Sequence, residues 1–261
     1  QFTDGNAVTI AGQPYFANLE IGLDEDGVEI RRPVIRLPEF GIVLSRINPA
    51  RPDTSMILRV RSGWEDFFSY LRAGEGKLRF DVYVATAAER GYALEAWRLL
   101  DPSSQLIPQD KVRRRVVCIP GSKQKRLEKV FNLQPSEAPV SFAPSPMPTS
   151  IILDDRVEVW EQSQRNQVFQ VSPYFPLKEM AAAILNAGFD VRGFPDAVPA
   201  GLWASGAELA RCQGLLASVR SNIFYTLDQK QKGNPGDRMA EVIDWGLALP
   251  KLPTVLQQVG G

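Results

Sequence analysis

The chain of 261 residues contains no histidine, and that absence removes more chemistry than any other feature of its composition. Without an imidazole there is no Ser-His-Asp or Cys-His nucleophile pair and no His-ligated metal site. Cysteine is scarce as well. Cys118 and Cys212 are the only two, too few for a disulfide framework or a zinc cluster. Cys118 lies in an apolar strand pattern, where a small buried hydrophobe is its ordinary role. Neither sign of charge is in excess: 30 Lys plus Arg balance 30 Asp plus Glu, so no global field points to nucleic acid. No apolar run approaches the roughly 20 residues that span a bilayer, and no secretory signal pattern is seen. The chain opens on Gln1 rather than Met, as a processed product or part of something longer would. Whatever chemistry is present must use carboxylates, hydroxyls and the cations of Lys and Arg.

What is present is ordinary for a soluble globular protein, with 44% hydrophobic and 23% charged residues. The length suits one large α/β domain or a domain plus an extension. Residues 1–62 are short β-type segments punctuated by turns and by prolines at 33, 38, 49 and 52. Asp24-Glu25-Asp26-Gly27, between two apolar segments, is a β-hairpin signal. From Gly63 the period changes: Trp64, Phe67, Phe68 and Leu71 make one apolar helical face. Residues 79–85 read as a strand, about 89–100 as a helix stopped by Asp101-Pro102, and 115–119 as a further strand. A basic helix is expected over 123–131, a proline- and serine-rich loop over 134–149, and strands at 151–153 and 167–171. The alternation from 79 to 171 implies βαβ crossovers and a parallel sheet. The last third is helical. Leu209, Cys212, Leu216, Val219, Ile223 and Leu227 form an amphipathic stripe, Gly233-Asn234-Pro235-Gly236 breaks it, and a short helix carries Val242, Ile243 and Trp245.

Each strand-to-helix junction offers one polar feature. The first presents Thr86, the second Lys123 and Lys125, and the third Asp154 and Asp155 after the apolar Ile151-Ile152-Leu153. Carboxylates at the C-terminal end of a parallel strand stand where open α/β sheets bind ligands. Two adjacent acids suit a hard cation such as Mg2+; the alternative is a turn in which Asp155 caps the next helix. A hydroxyl, an ammonium and a metal-binding acid pair at one sheet edge would suit a phosphoryl group.

Longer segments carry a family resemblance: RPVIRL (32–37), LSRINPARPDTS (44–55), RVRSGWEDF (59–67), FDVYVATAAERGYALEAWRLLDP (80–102), RRVVCIPGSKQKRLEKVF (114–131) and SIILDDRVEVW (150–160). Together they resemble the catalytic domain of the RNA polymerase II C-terminal-domain phosphatases of the haloacid-dehalogenase superfamily, closest to the plant phosphatase-like branch. The resemblance runs from about 30 to 175 and fades through VRGF (191–194). It implies a Rossmann-like parallel sheet and a Mg2+-dependent aspartyl-phosphate mechanism on phosphoserine or phosphothreonine. Thr86 would then be the motif II hydroxyl and Lys125 the motif III lysine, with Lys123 as runner-up. Asp154 and Asp155 would be the motif IV acids serving Mg2+.

The departure is in motif I, an apolar strand followed by D-x-D-x-T or D-x-D-x-V, whose first Asp takes the phosphoryl group and whose second is the general acid and base. The one string with that spacing, Asp24-Glu25-Asp26-Gly27-Val28, follows a segment carrying Glu20 and sits where the family has an insertion; a hairpin turn is the expectation. Motif I is upstream, lost, or supplied by another chain. The implied organisation is a β-rich inserted segment over 1–62, a haloacid-dehalogenase-like core over 63–178 and a helical C-terminal extension over 179–261. Two functions remain open: a protein-serine/threonine phosphatase domain, incomplete as it stands, and a non-catalytic structural subunit of a larger protein assembly. The resemblance implies the nucleus; a processed amino terminus would also fit an organelle such as the chloroplast.

Overall fold

The structure, a computed structural model, describes residues 7–10, 12–73, 80–121, 123–133, 149–174 and 206–232. Residues 134–148 of the expected loop at 134–149, the glycine-rich break after residue 232 and the short helix around Val242 to Trp245 lie outside them. The chain divides into two compact units, Gln1–Lys123 with Pro173–Leu209, and Gln124–Ser172 with Ala210–Gly261.

In the first unit the hairpin β1 (Ala7–Ile10) and β2 (Gln13–Phe16) precedes an antiparallel meander. The meander runs β3 (Asn18–Leu23), β4 (Glu29–Leu37), β5 (Ile42–Arg46) and β6 (Ser55–Arg59), in that spatial order. Alternation along β4 sends side chains to both faces. Ile35 and Leu37 join Ala17 and Ile42 under Val8 and Tyr15 of the first hairpin. Val34 joins Val43 and Met56 against Leu99. The sheet is therefore covered on one face by β1 and β2 and on the other by a helix.

The expected hairpin at Asp24 is present. The Asp24 carboxylate accepts the amides of Asp26 and Val28 at 2.9 and 2.8 Å, and Gly27 takes a φ of +88° that glycine adopts without strain. The only D-x-D spacing matching motif I is thus spent on a turn between β3 and β4.

Helix α1 (Trp64–Arg72) buries Phe67 and Leu71, the apolar face read from the sequence. Its Trp64 indole donates to the Leu100 carbonyl at 3.2 Å and meets Trp97 edge-on. Helix α2 (Arg90–Leu100) ends at Asp101. The Asp101 carboxylate accepts the amides of Gln105, Leu106 and Ile107 within 3.0 Å, and so folds Leu106 and Ile107 into the interior.

Strand β7 (Val84–Thr86) pairs in parallel with β8 (Val116–Cys118). Both are shorter than expected, and the reason lies between them. Residues 109–115, not foreseen as helical, form helix α3 (Gln109–Arg115), so Arg113, Arg114 and Arg115 belong to a helix rather than entering a strand. In the register of this pair, residues 80–83 face helix α3 rather than an extended segment. Arg115 instead bonds Asp81 at 2.8 Å and stacks on the Tyr83 ring at 4.8 Å.

The second unit holds helix α4 (Leu127–Val130) and another parallel pair, β9 (Ile152–Asp154) with β10 (Val168–Gln170). The basic helix expected over 123–131 is reduced to this one turn because Arg126 is extended and Lys125 forms a parallel bridge with Trp160. Helix α5 (Ala207–Lys232) buries Cys212, Leu216 and Val219 of the expected stripe, while the side chains of Ile223 and Leu227 lie outside the described ones. Its Arg211 guanidinium lies 4.3 Å from the Phe169 ring centroid and donates to the Gln170 carbonyl. The architecture is mixed α/β. Among the described residues its parallel strands form two separate pairs, while the larger sheet is antiparallel.

Candidate functional site

Thr86, in the first unit, is the last residue of β7. Its hydroxyl accepts the Ala88 amide at 3.1 Å, a local turn that fixes the side chain as the strand gives way to α2. Its own carbonyl accepts the Ile119 amide at 2.7 Å, which carries the parallel pairing one residue beyond β8. Cys118 is its partner across the pair. Burial pushes the Cys118 thiol up against the opposing pull of Arg90, so it is a poor nucleophile. Arg90 was not singled out by sequence reasoning. It donates to the carbonyls of Val116 and Arg113 at 3.2 and 2.7 Å, tying the start of α2 to β8 and the end of α3.

Lys125, Asp154 and Asp155 all lie in the second unit. The Lys125 ammonium donates to Asp154 Oδ2 at 2.7 Å, and both side chains are about nine-tenths buried, with 10% and 9% exposure. The Trp160 indole donates to the same oxygen at 2.9 Å. Asp154 Oδ1 accepts the Arg156 amide at 3.0 Å. Burial pushes the Asp154 carboxyl up. The bonds from Lys125, the Arg156 amide and Trp160, with the Lys125 charge, outweigh that and hold it below the usual carboxylate range.

The turn after β9 is therefore made by Asp154. Asp155 does not cap a helix: the following turn of 3-10 helix, Val157–Val159, starts from Arg156 without a side-chain cap. Asp155 is half-buried, and its carbonyl accepts the Gln170 side-chain amide at 3.0 Å. Lys123, the runner-up lysine, is exposed at the surface.

Trp160 and Gln164 are the residues that sequence reasoning missed. Gln164, almost wholly buried, accepts the Leu127 amide and donates to both Glu128 oxygens, pinning the start of α4 just after Lys125. A polar residue among surface-like neighbours gave no periodic signal of burial.

As a metal site the acids fit only in part. Asp154 and Asp155 provide hard oxygen donors, but among the described residues no group of three or more Asp, Glu or Cys side chains gathers to hold an ion. The described residues also include no helix long and apolar enough to cross a membrane.

Comparison with known proteins agrees with the segments quoted above. A family model described as NLI interacting factor-like phosphatase matches residues 34–185, more than half of the 261. A protein of Arabidopsis thaliana described as RNA polymerase II C-terminal domain phosphatase-like 1 is 38% identical over 191 residues. That match covers 70% of this chain and 18% of the relative, so the chain spans less than a fifth of that protein's length. No solved structure matches. With the family model over most of the region that carries the motifs, the chain belongs to the NLI interacting factor-like phosphatases, the RNA polymerase II C-terminal-domain phosphatase type within the haloacid-dehalogenase superfamily.

Proposed function

We propose that the chain is most of a Mg2+-dependent phosphatase domain acting on phosphoserine or phosphothreonine in proteins, completed by a motif I strand that its 261 residues do not contain. The observation that carries this reading is the buried Lys125–Asp154 pair with Asp155 beside it at the end of a parallel strand. A fixed ammonium next to two carboxylates is suited to a phosphoryl group and its metal. The name of the Arabidopsis relative supports the substrate class.

In this reading each group of the second unit has one task. The Lys125 ammonium binds a phosphoryl oxygen and neutralises its charge. Asp154 orients Lys125, and Asp155 is the acid left to face the ion. Mg2+ would supply charge neutralisation on the transferring group. The nucleophilic Asp and the acid-base Asp come with the motif I strand, from this polypeptide or another.

The test is Mg2+-dependent hydrolysis of p-nitrophenyl phosphate by the chain with a D-x-D-x-T strand supplied. Asp155→Asn should abolish the Mg2+-dependent turnover while leaving the far-UV circular dichroism unchanged; unaltered turnover would remove Asp155 from the metal site. A second reading, a non-catalytic structural subunit of a protein assembly, is favoured by one observation: the only D-x-D string of motif I spacing is a hairpin turn. Catalysis that appears when a D-x-D-x-T strand is supplied, and not before, would decide for the phosphatase.

A further inference from the structure

We propose that Trp160 is a positioning residue that clamps Lys125 and Asp154 together, so that the ammonium is presented in one fixed orientation. The proposal rests on the phosphatase reading for its purpose, but the clamp itself stands on geometry.

Trp160 is 3% exposed and meets the pair from three directions. Its indole N–H ends on Asp154 Oδ2, the oxygen that also receives Lys125. The face of its ring lies 5.5 Å from the Lys125 ammonium, within cation-π range. Its backbone forms a bridge with Lys125, whose amide donates to the Val159 carbonyl at 2.8 Å while its carbonyl accepts the Glu161 amide at 3.0 Å. The Trp160 carbonyl is held in turn by the Gln124 side-chain amide at 3.1 Å and by Arg165 at 3.0 Å.

A lysine has four rotatable bonds, and a lone carboxylate can be approached from several sides. Alone, the pair would sample many geometries. The indole occupies one approach to Oδ2 and the ring covers one side of the ammonium, so a single arrangement remains. Groups that orient a charged site residue in this way typically matter by roughly 10- to 100-fold in affinity or activity.

The test uses the full chain with 15N-labelled lysine and indole groups. A held, nine-tenths-buried ammonium gives a slowly exchanging N–H signal, assigned to Lys125 by its loss in Lys125→Met. Trp160→Phe keeps an aromatic ring near the ammonium but removes the indole N–H and part of the ring volume. The Lys125 signal should broaden beyond detection while the far-UV circular dichroism stays that of the unaltered chain. A signal that persists unchanged overturns the proposal.

Should Trp160→Phe fail to fold, Asp154→Ala provides the second arm. The Trp160 indole proton should then exchange faster than in the unaltered chain, and equal rates overturn the clamp. With p-nitrophenyl phosphate, kcat should fall about tenfold or more in Trp160→Phe with KM within about twofold; an unchanged kcat overturns the positioning role. If the unaltered chain hydrolyses nothing even when a motif I strand is supplied, the phosphatase reading fails by itself, and the ammonium signal alone decides for or against the clamp.

Discussion

Asp154 shows how one side chain can carry a turn, a charge pair and a tertiary contact together. Its carboxyl is held below the usual carboxylate range in the folded protein. A depressed folded value stabilises the fold above the unfolded pKa of about 3.9, and that contribution disappears as pH falls through the folded value. Asp154→Asn should therefore flatten the acid side of the stability profile below about pH 4, measured by urea unfolding at successive pH values. If the acid limb of the variant overlays that of the unaltered chain, the pairing with Lys125 contributes nothing to folding. At this scale the sequence was informative about identity and silent about geometry. Adjacent acids after an apolar run marked a candidate site. That Asp154 faces Lys125 depends on chain segments 29 residues apart in sequence, and no local pattern encodes it; Trp160 reaches the same carboxylate from six residues on.

Helix α2 is where the motif-bearing segment shows its structural purpose. Glu95, wholly buried, receives Arg32 at 3.2 Å and Arg98 at 2.8 Å as well as the Ser45 hydroxyl. Arg98 continues to Glu20 at 2.7 Å, and Glu20 to Arg36 at 3.0 Å. This chain of charges ties α2 to β3, β4 and β5. Removing one partner from a buried set leaves the others uncompensated, at a cost of about 3–5 kcal/mol. Glu95→Gln should lower stability by an amount of that order in chemical denaturation, whereas Glu65→Gln, in the exposed first turn of α1, should not. A loss below about 1 kcal/mol would mean that the arginines find other partners.

The start of α1 offers a second case. Gly63 caps the helix at a φ of +82°, and a Cβ there would stand 3.1 Å from the Gly206 Cα. Gly63→Ala should cost about 1–2 kcal/mol from the left-handed backbone alone, with a further penalty from the crowding at Gly206. A melting temperature equal to that of the unaltered chain would show that the two backbones do not approach this closely in solution. Both features were invisible in sequence. An Arg-Glu ladder across a sheet and a glycine-on-glycine crossing are formed by residues distant in the chain.

For the whole molecule, the balance of 30 cationic and 30 anionic residues gives a sequence pI near 6.6 and no excess charge with which to neutralise phosphates. Duplex DNA should therefore not be retained by the protein at physiological salt, as measured by fluorescence anisotropy. Micromolar binding with a steep salt dependence would reveal a local basic surface that the composition averages away.

The sequence by itself determined the family, the existence of the hairpin at Asp24, the apolar faces of α1 and α5, and the β-rich character of the first 60 or so residues. These depend on short-range periodicity and turn chemistry, which neighbouring residues express directly. Tertiary structure alone decided where strands could exist. Residues 80–83 form no strand among the described residues, the chain opposite being helix α3, and the basic helix shrinks to α4 because Lys125 pairs its backbone with Trp160. It also decided which of the two candidate lysines is buried beside Asp154. A strand or an ion pair is a property of two segments, and its second half is supplied only when the chain has folded.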